Sequence, residues 1–260
     1  MEKHRDKFVR LIAEITKDHP AFIHIDIIGL TKIADSNESR LEKFAEVLRD
    51  IESEGGNICI PSYTLSYTRN VDYDILNSPV INAGAVSEYV RSRFPDKRTA
   101  DALFSYIVFG KNISKSHFEI KDYDSFGKNS LIEEVFNSDG YIWTIGGVFK
   151  NSTEIHFIEK LLNVDYREDK VFTGNIIDRE GISHKQSVTF FCKNFDFHYW
   201  YDFKNVENDI RKEGLMEVVK SEGYPLFVSG IKFKTLFEFL KKKVKEDNKY
   251  ICKDLHHKND

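Results

Sequence analysis

A histidine and a glutamate three residues apart, His156 and Glu159, are the residues of this chain best suited to acid–base chemistry. On a helix, this spacing puts the two side chains on neighbouring turns of one face. The carboxylate can then fix the imidazole tautomer and stabilise the imidazolium that forms when the ring accepts a proton. The pair therefore predicts a general base with its supporting carboxylate. The alternative is a surface pair worth only about 0.2–0.5 kcal/mol to helix stability.

The segment that carries this pair predicts a strand followed by a helix. Residues 141–148 form a short apolar run that contains Gly146 and Gly147, as is typical of an interior strand. Asn151 or Ser152 can cap the next helix. The apolar residues of that helix recur at spacings of three and four: Ile155, Ile158 and Leu162. Because open α/β sheets bind ligands beyond the carboxyl ends of their strands, this position favours a functional role for the pair.

Helical and strand patterns alternate along the rest of the chain. Helices are predicted at about 3–17, 36–52, 83–94, 131–136, 206–213 and 231–245, strands at 22–28, 57–61 and 103–109, and a hairpin at 171–178 and 186–197. This alternation predicts a mixed α/β sheet covered by helices. No repeat or linker divides the chain, so we expect one domain, residues 1–245, and a frayed polar tail, residues 246–260. The segment 62–79 lacks a clear period and is expected to be a functional or disordered loop.

Composition narrows the class of protein. The 260 residues are 41% hydrophobic and 13% aromatic, which is enough for a large core. The 38 basic residues are balanced by 42 acidic ones and form no long basic stripe, so no nucleic-acid partner is expected. No segment approaches the roughly 18 apolar residues of a membrane span, and the amino terminus is amphipathic. We therefore expect a cytoplasmic protein without a membrane partner.

The cysteines predict neither a disulfide framework nor a metal centre. Cys59, Cys192 and Cys252 are isolated and odd in number, which favours a reducing compartment. The chain has no HExxH, HxH or CxxC pattern, so no metal is expected. A hydrolase that uses Cys59 or a serine as nucleophile with His156 is a weak alternative, because Cys59 lies inside an apolar strand and no GxSxG motif occurs.

Four sequence blocks together resemble the aminoglycoside 3-N-acetyltransferase family. They span roughly residues 24 to 160, in the order of the family. The blocks are GGNICIPSYT at 55–64, the segment from Tyr73 to Arg91 followed by Arg98-Thr99, the run Phe126–Ser130, and Asn151-Ser152-Thr153 with His156 and Glu159. The resemblance implies a three-layer α/β sandwich around a mixed sheet. It also implies an acyl-CoA-dependent enzyme, with acetyl-CoA as cosubstrate.

The resemblance implies roles for individual residues. His156 would deprotonate an amine that attacks acetyl-CoA directly, and Glu159 would orient it; Asp196, Asp202 and Asp209 are alternative partners of the imidazole. The cofactor would be bound by Tyr63, Thr64, Arg98, Ser130 and Thr153. The cationic acceptor would be held by the carboxylates of Asp26, Asp74 and Glu88. Other interpretations stay open from the residues alone: Ser130 as a helix cap, Arg98 as a partner of Asp96 or Asp101, and Tyr63 and Thr64 as packing residues.

The chain also departs from the family pattern. After Arg98-Thr99 the family usually carries a histidine and a proline, whereas this chain has Ala100-Asp101-Ala102. A common proline is replaced by Leu131, and a common serine is replaced by Val80. The first strand carries His24-Ile25-Asp26-Ile27, a variant of the family's HSSL. These changes favour an amino sugar of surface polysaccharides as acceptor, beside the aminoglycosides. A nucleotide-linked amino sugar would use Arg69, Arg91, Arg93 and Arg98. The alternative function is a non-catalytic descendant that binds CoA and a sugar; the oligomeric state is left open.

Overall fold

The computed structural model describes residues 2–147, 149, 152–219 and 228–258. Its helices are α1 (Glu2–Thr16), α2 (Asn37–Ser53), α3 (Gly84–Arg93), α4 (Leu131–Asn137), α5 (Ile155–Leu161), α6 (Phe203–Lys212) and α7 (Phe233–Glu246). Its strands are β1 (Ala21–Ile25), β2 (Ile58–Pro61), β3 (Tyr73–Asp74), β4 (Tyr106–Phe109), β5 (Tyr123–Asp124), β6 (Tyr141–Ile145), β7 (Arg167–Ile177), β8 (Ser183–Lys193), β9 (Phe197–Tyr201), β10 (Glu217–Val219), β11 (Val228–Lys232) and β12 (Cys252–His257).

The central layer is a six-stranded mixed sheet with the order β10-β11-β6-β1-β2-β4. Strand β1 is parallel to both of its neighbours, β6 and β2. The outer strands β4, β11 and β10 pair antiparallel. The carboxyl ends of β1, β2 and β6 therefore meet at one edge of the sheet, and the segments that leave these ends can share a site.

Side chains of the central strands alternate between two cores, as the period of two in a strand requires. Phe22 and Ile142 face one core, which also contains Ile158 of α5 and Leu236 of α7. Their neighbours, among them Ile23, face the core formed with α1, α2 and α3. The layers are thus helix, sheet and helix, which confirms the predicted three-layer α/β fold.

A second sheet carries the predicted hairpin. Strands β7 and β8 pair antiparallel along eleven residues each. The short strands β3 and β5 add to its two edges in parallel, giving the order β3-β7-β8-β5. Strand β3 lies within the segment 62–79, so this segment is tied to the second sheet rather than forming one irregular loop.

The frayed tail expected after residue 246 is wrong for the part that the structure describes. Strand β12 pairs antiparallel with β9. Ile251 and Leu255 are buried in the core that contains α7. Because Lys253 and Asp254 interrupt the apolar residues here, the burial follows from pairing with β9 rather than from a local pattern. The division of the chain at residue 245 stays a prediction.

Strand β6 ends at Ile145, earlier than predicted; Val148 and Asn151 lie outside the described residues. No helix in the described part of the chain is long and apolar enough to cross a membrane.

Candidate active site

A cavity of about 560 Å³ opens at the carboxyl ends of β1 and β2. Its wall combines these strand ends with the first turn of α3, the start of α5 and the start of α6. The lining includes the side chains of His24, Asp26, Tyr63, Ser152, Thr153, His156 and Phe203. The volume lies within the range of ordinary small-molecule sites, about 300–1,000 Å³.

His156 and Glu159 form the predicted pair inside this cavity wall. The Nδ1 atom of His156 lies 2.6 Å from Oε2 of Glu159. Glu159 is fully buried and also accepts a hydrogen bond from the Tyr166 hydroxyl at 2.9 Å. The guanidinium Nε of Arg167 lies 3.7 Å from the same carboxylate. Because a carboxylate at ordinary pH only accepts hydrogen bonds, Nδ1 carries the imidazole proton and Nε2 carries the free lone pair.

The surroundings of His156 favour its neutral form. Burial and the positive charge of Arg167 lower the pKa of His156 below 6.5, against the opposing effect of Glu159. The rings of Phe126 and Tyr201 lie 5.7 and 5.4 Å from the imidazole ring, centre to centre. A neutral, sterically held imidazole at neutral pH meets the requirement for a general base.

A second histidine–carboxylate pair lies in the same cavity wall and was missed by the sequence analysis. Nε2 of His24 lies 2.8 Å from Oε2 of Glu154, which is fully buried. The hydroxyl of Tyr106 donates to Glu154 at 3.0 Å, and Tyr63 donates to the Tyr106 hydroxyl at 2.8 Å. Burial alone would raise the pKa of Glu154, but the charge and hydrogen bond of His24 hold it below its ordinary value. No local pattern links residues that are 130 positions apart.

The residues expected to bind the cofactor separate into two groups. Tyr63 and Thr153 line the cavity. Thr64 is buried behind it, with its hydroxyl 2.9 Å from that of Ser66. Ser130 caps α4 by accepting a hydrogen bond from the Glu133 N–H at 3.1 Å. The helix-cap interpretation of Ser130 therefore matches its contacts.

Arg98 is fully buried and its guanidinium is bound by the protein itself. It donates to the carbonyl oxygens of Ser62 and Ser78 at 2.7 and 2.5 Å, and to the hydroxyl of Ser105 at 3.1 Å. Its carbon Cζ also lies 4.9 Å from the centre of the Tyr73 ring. Among the described residues its partners include neither Asp96 nor Asp101. A contact of Arg98 with a CoA phosphate stays a prediction.

The residues expected to hold the acceptor are also divided. Asp26 lines the cavity, and its Oδ1 accepts a hydrogen bond from the Ile28 N–H at 2.9 Å. Asp74 caps its own turn, because it accepts from the N–H groups of Leu76 and Asn77 at 2.9 Å each. Glu88 is bound by the Val80 N–H at 2.7 Å and by Arg91. Asp74 and Glu88 are thus satisfied by local contacts and do not line the cavity, whereas Asp26 does.

The departures at residues 100–102 also lie away from the cavity. Ala100 and Ala102 are fully buried. Asp101 accepts hydrogen bonds from the N–H groups of Leu103 and Phe104 at 2.9 and 3.1 Å. This segment therefore precedes β4, and none of its residues is in the cavity lining.

The first turn of α3 gives the cavity a surface suited to an anionic or polar group. Residues 84–87 line the cavity, and no side chain caps the helix. Free N–H groups at a helix start attract anions, and the helix dipole adds to this attraction. The hydroxyl of Ser152, also in the wall, is buried and has no hydrogen-bond partner among the described residues. These features fit the polar parts of an acyl-CoA molecule.

Comparison with known proteins identifies the family. A family model for aminoglycoside 3-N-acetyltransferase matches residues 23–243. No curated protein sequence matches the chain significantly. Among solved structures, AAC-IIIb in a binary complex with CoASH is 14% identical, with a TM-score of 0.71, and the match covers 93% of this chain and 96% of that one. Sisomicin-bound AAC-VIa is 15% identical with a TM-score of 0.69, covering 93% and 97%.

The apoenzyme of aminoglycoside acetyltransferase AAC(3)-IVa is 16% identical with a TM-score of 0.66, covering 95% of this chain and 90% of that one. Identities this low show a shared fold. The family model, however, covers more than half of the sequence and includes both members of the His156–Glu159 pair. The chain therefore belongs to the aminoglycoside 3-N-acetyltransferase family, a family of N-acetyltransferase enzymes.

Proposed function

We propose that this protein transfers the acetyl group of acetyl-CoA directly to an amine of an aminoglycoside or a related amino sugar, with His156 as general base. The observation that carries the proposal is the buried Glu159 carboxylate held against Nδ1 of His156 in the wall of the cavity. Family membership supports the reaction class and the cosubstrate.

The proposed mechanism begins with the acceptor amine. An alkylammonium ion has no lone pair, so a base must remove a proton before or during attack on the thioester. The ammonium loses this first proton to water. Nε2 of His156 then takes a second proton from the amine as the new N–C bond forms, and the C–S bond of acetyl-CoA breaks with its electron pair going to sulfur. Glu159 keeps the proton on Nδ1 and stabilises the imidazolium that results.

The proposed acceptor is a cationic amine rather than a phosphorylated sugar. Asp26 offers a carboxylate at the cavity wall, and opposite charges favour encounter with a cationic amine. Arg98 is buried, and Arg91 is bound to Glu88 and to the Leu76 carbonyl. Two of the four arginines expected to bind nucleotide phosphates are therefore already engaged. The solved structure of AAC-VIa with sisomicin gives a precedent for such an acceptor within the shared fold.

The non-catalytic alternative loses its main support. It rested on the missing histidine after Arg98 and Thr99, but residues 100–102 lie away from the cavity and from His156. The residues proposed for proton transfer are all present, so catalysis is the function that the site supports best.

The test is thiol release from acetyl-CoA, with mass spectrometry of the acceptor, across aminoglycosides and nucleotide-linked amino sugars. We expect a mass gain of one acetyl group on an aminoglycoside or unphosphorylated amino sugar. His156→Ala should lower kcat/KM by about 10²–10⁴-fold, the usual contribution of a general base. His198→Ala is the control, because His198 is an exposed histidine on β9 outside the cavity lining. Full activity of the His156→Ala variant would refute the mechanism.

A further inference from the structure

Two histidine–carboxylate pairs share the wall of one cavity, and the proposed function uses only one of them. His156 pairs with Glu159, and His24 pairs with Glu154. Both carboxylates are fully buried, and both histidines line the cavity. In acyl transfer from a thioester, a base takes the proton of the amine, and an acid that protonates the departing thiolate accelerates the breaking of the C–S bond.

The two carboxylates differ in what balances their charge. Glu159 has Arg167 as a second cationic neighbour, with Nε at 3.7 Å. Its histidine can therefore stay neutral without leaving an unbalanced buried charge. The other hydrogen bonds of the Glu154 carboxylate come from a backbone N–H group and from the neutral hydroxyls of Tyr106 and Tyr63. In the described part of the chain it has no lysine or arginine partner. A buried carboxylate without a counter-charge is costly, so the positive charge of this pair must come from His24.

The geometry of His24 leaves one ring nitrogen for the cavity. Its Nε2 atom donates to Glu154, and its Nδ1 atom has no partner among the described residues. The side chain is largely buried but belongs to the cavity lining. In the imidazolium form Nδ1 carries a proton, so the ring presents a donor to the cavity.

We propose that His24 is the general acid of the transfer reaction and donates its Nδ1 proton to the sulfur of the departing CoA. This proposal rests on the proposed function. Environments that hold two titratable groups in opposite protonation states are the pattern expected of an acid and a base in one site. Glu154 stabilises the positive charge on His24, whereas Glu159 fixes the tautomer of His156.

The acceptor ammonium first loses one proton to water and becomes the neutral amine. Nε2 of His156 takes a second proton from this amine as the nitrogen bonds to the acetyl carbon. The C–S bond breaks, its electron pair goes to sulfur, and the Nδ1–H of His24 protonates that sulfur. The products are the N-acetylated amine and CoA with a free thiol. His156 then releases its proton to water and His24 regains one from water.

The experiment compares two truncated acetyl donors whose leaving groups differ in acidity. S-acetyl-N-acetylcysteamine releases an alkyl thiol like that of CoA, whereas S-phenyl thioacetate releases a more acidic aryl thiol that needs no acid. His24→Gln keeps a side-chain amide that can donate to Glu154 but cannot give up a proton. We expect it to lower kcat/KM by about 10²-fold or more with the alkyl thioester, and by far less with the aryl thioester. His156→Ala should impair both donors.

The same factor of loss for both donors in His24→Gln, or no loss, would overturn the proposal. A wild-type protein that acetylates no amine from acetyl-CoA or from either truncated donor would overturn the proposed function, and this proposal with it. The ring nitrogens of the free wild-type protein give an independent readout by ¹⁵N NMR. The proposal requires a proton on Nδ1 of His24, and we expect His156 to be neutral at pH 7. An Nδ1 atom of His24 without a proton contradicts the assignment even if the variant does not fold.

Discussion

The charge state of one imidazole connects the local environment of His156 with the pH range in which the enzyme works. The base must be neutral in the free enzyme, and burial with the nearby Arg167 charge keeps its pKa below 6.5. The activity that depends on His156 as base should therefore be lost as the pH falls through this lowered value. In the pH profile of kcat/KM, we expect the acid limb assigned to His156 to lie below pH 6.5.

Glu159→Gln tests this assignment. Glu159 opposes the lowering of the His156 pKa, so its neutralisation should move the acid limb to still lower pH. The maximum rate should fall as well, because a glutamine amide no longer stabilises the imidazolium. Repeating the profile with amines of different basicity separates the ionisation of the acceptor from that of the enzyme. An acid limb that moves to higher pH in Glu159→Gln would contradict the role of this carboxylate.

Local spacing made one half of the site predictable from sequence and left the other half hidden. His156 and Glu159 lie in one short helix, where a separation of three residues dictates contact. His24 lies on β1 and Glu154 lies in the segment after β6. The two residues meet only because β1 and β6 are neighbours in the sheet. The same limit explains why three predicted binding residues, Thr64, Asp74 and Glu88, do not line the cavity. The sequence around each of them does not indicate which face of the fold it occupies.

Arg98 joins the two ends of the segment 62–79, because it donates to the carbonyl oxygens of Ser62 and Ser78. It also donates to the hydroxyl of Ser105, next to β4. A lysine keeps the charge but lacks the planar five-donor fork. Arg98→Lys should therefore leave at least one buried acceptor unsatisfied and lower the free energy of unfolding by about 1–3 kcal/mol. Urea unfolding measures this change. Arg93→Lys, at an exposed position of α3, is the control and should stay within about 0.5 kcal/mol.

The same variant separates a structural role from a cofactor-binding role. With Arg98 acting only inside the protein, the folded fraction of Arg98→Lys should keep the KM of the wild type for acetyl-CoA. A raised KM with unchanged stability would instead return Arg98 to the CoA phosphate contact that the sequence suggested.

Helices and strands were predicted well where one face of the segment is apolar. They were predicted poorly where only pairing with another strand determines the conformation. The periodic helices α2 and α7 and the β7–β8 hairpin lie within a few residues of their predicted positions. Strand β12, in contrast, has the sequence CKDLHH, without a run of alternating apolar residues. Its strand conformation depends on β9, and strand preference of this kind reflects tertiary packing more than intrinsic propensity.

The whole molecule is organised around a sheet that two cores share. Adjacent residues of one strand, such as Phe22 and Ile23, belong to opposite cores. Loss of either core would expose one face of the same strands, and an apolar face exposed to water costs about 25 cal/mol per Å². The two layers of helices should therefore unfold together, and Ile251 should unfold with them although it lies beyond the predicted domain boundary.

Truncation of one buried isoleucine in each core tests this coupling. Ile51 of α2 lies in the core with α1, whereas Ile251, next to β12, lies in the core with α7. Each change to alanine should cost about 2–5 kcal/mol. Val171→Ala is the control, since Val171 is 65% exposed on β7 and its truncation should change stability by no more than about 0.5 kcal/mol. If residues 1–245 and the following strand form one cooperative unit, both core variants shift a single calorimetric transition to lower temperature, with equal calorimetric and van't Hoff enthalpies. Two separate transitions, each moved by only one of the variants, would show instead that the layers on either side of the sheet fold independently.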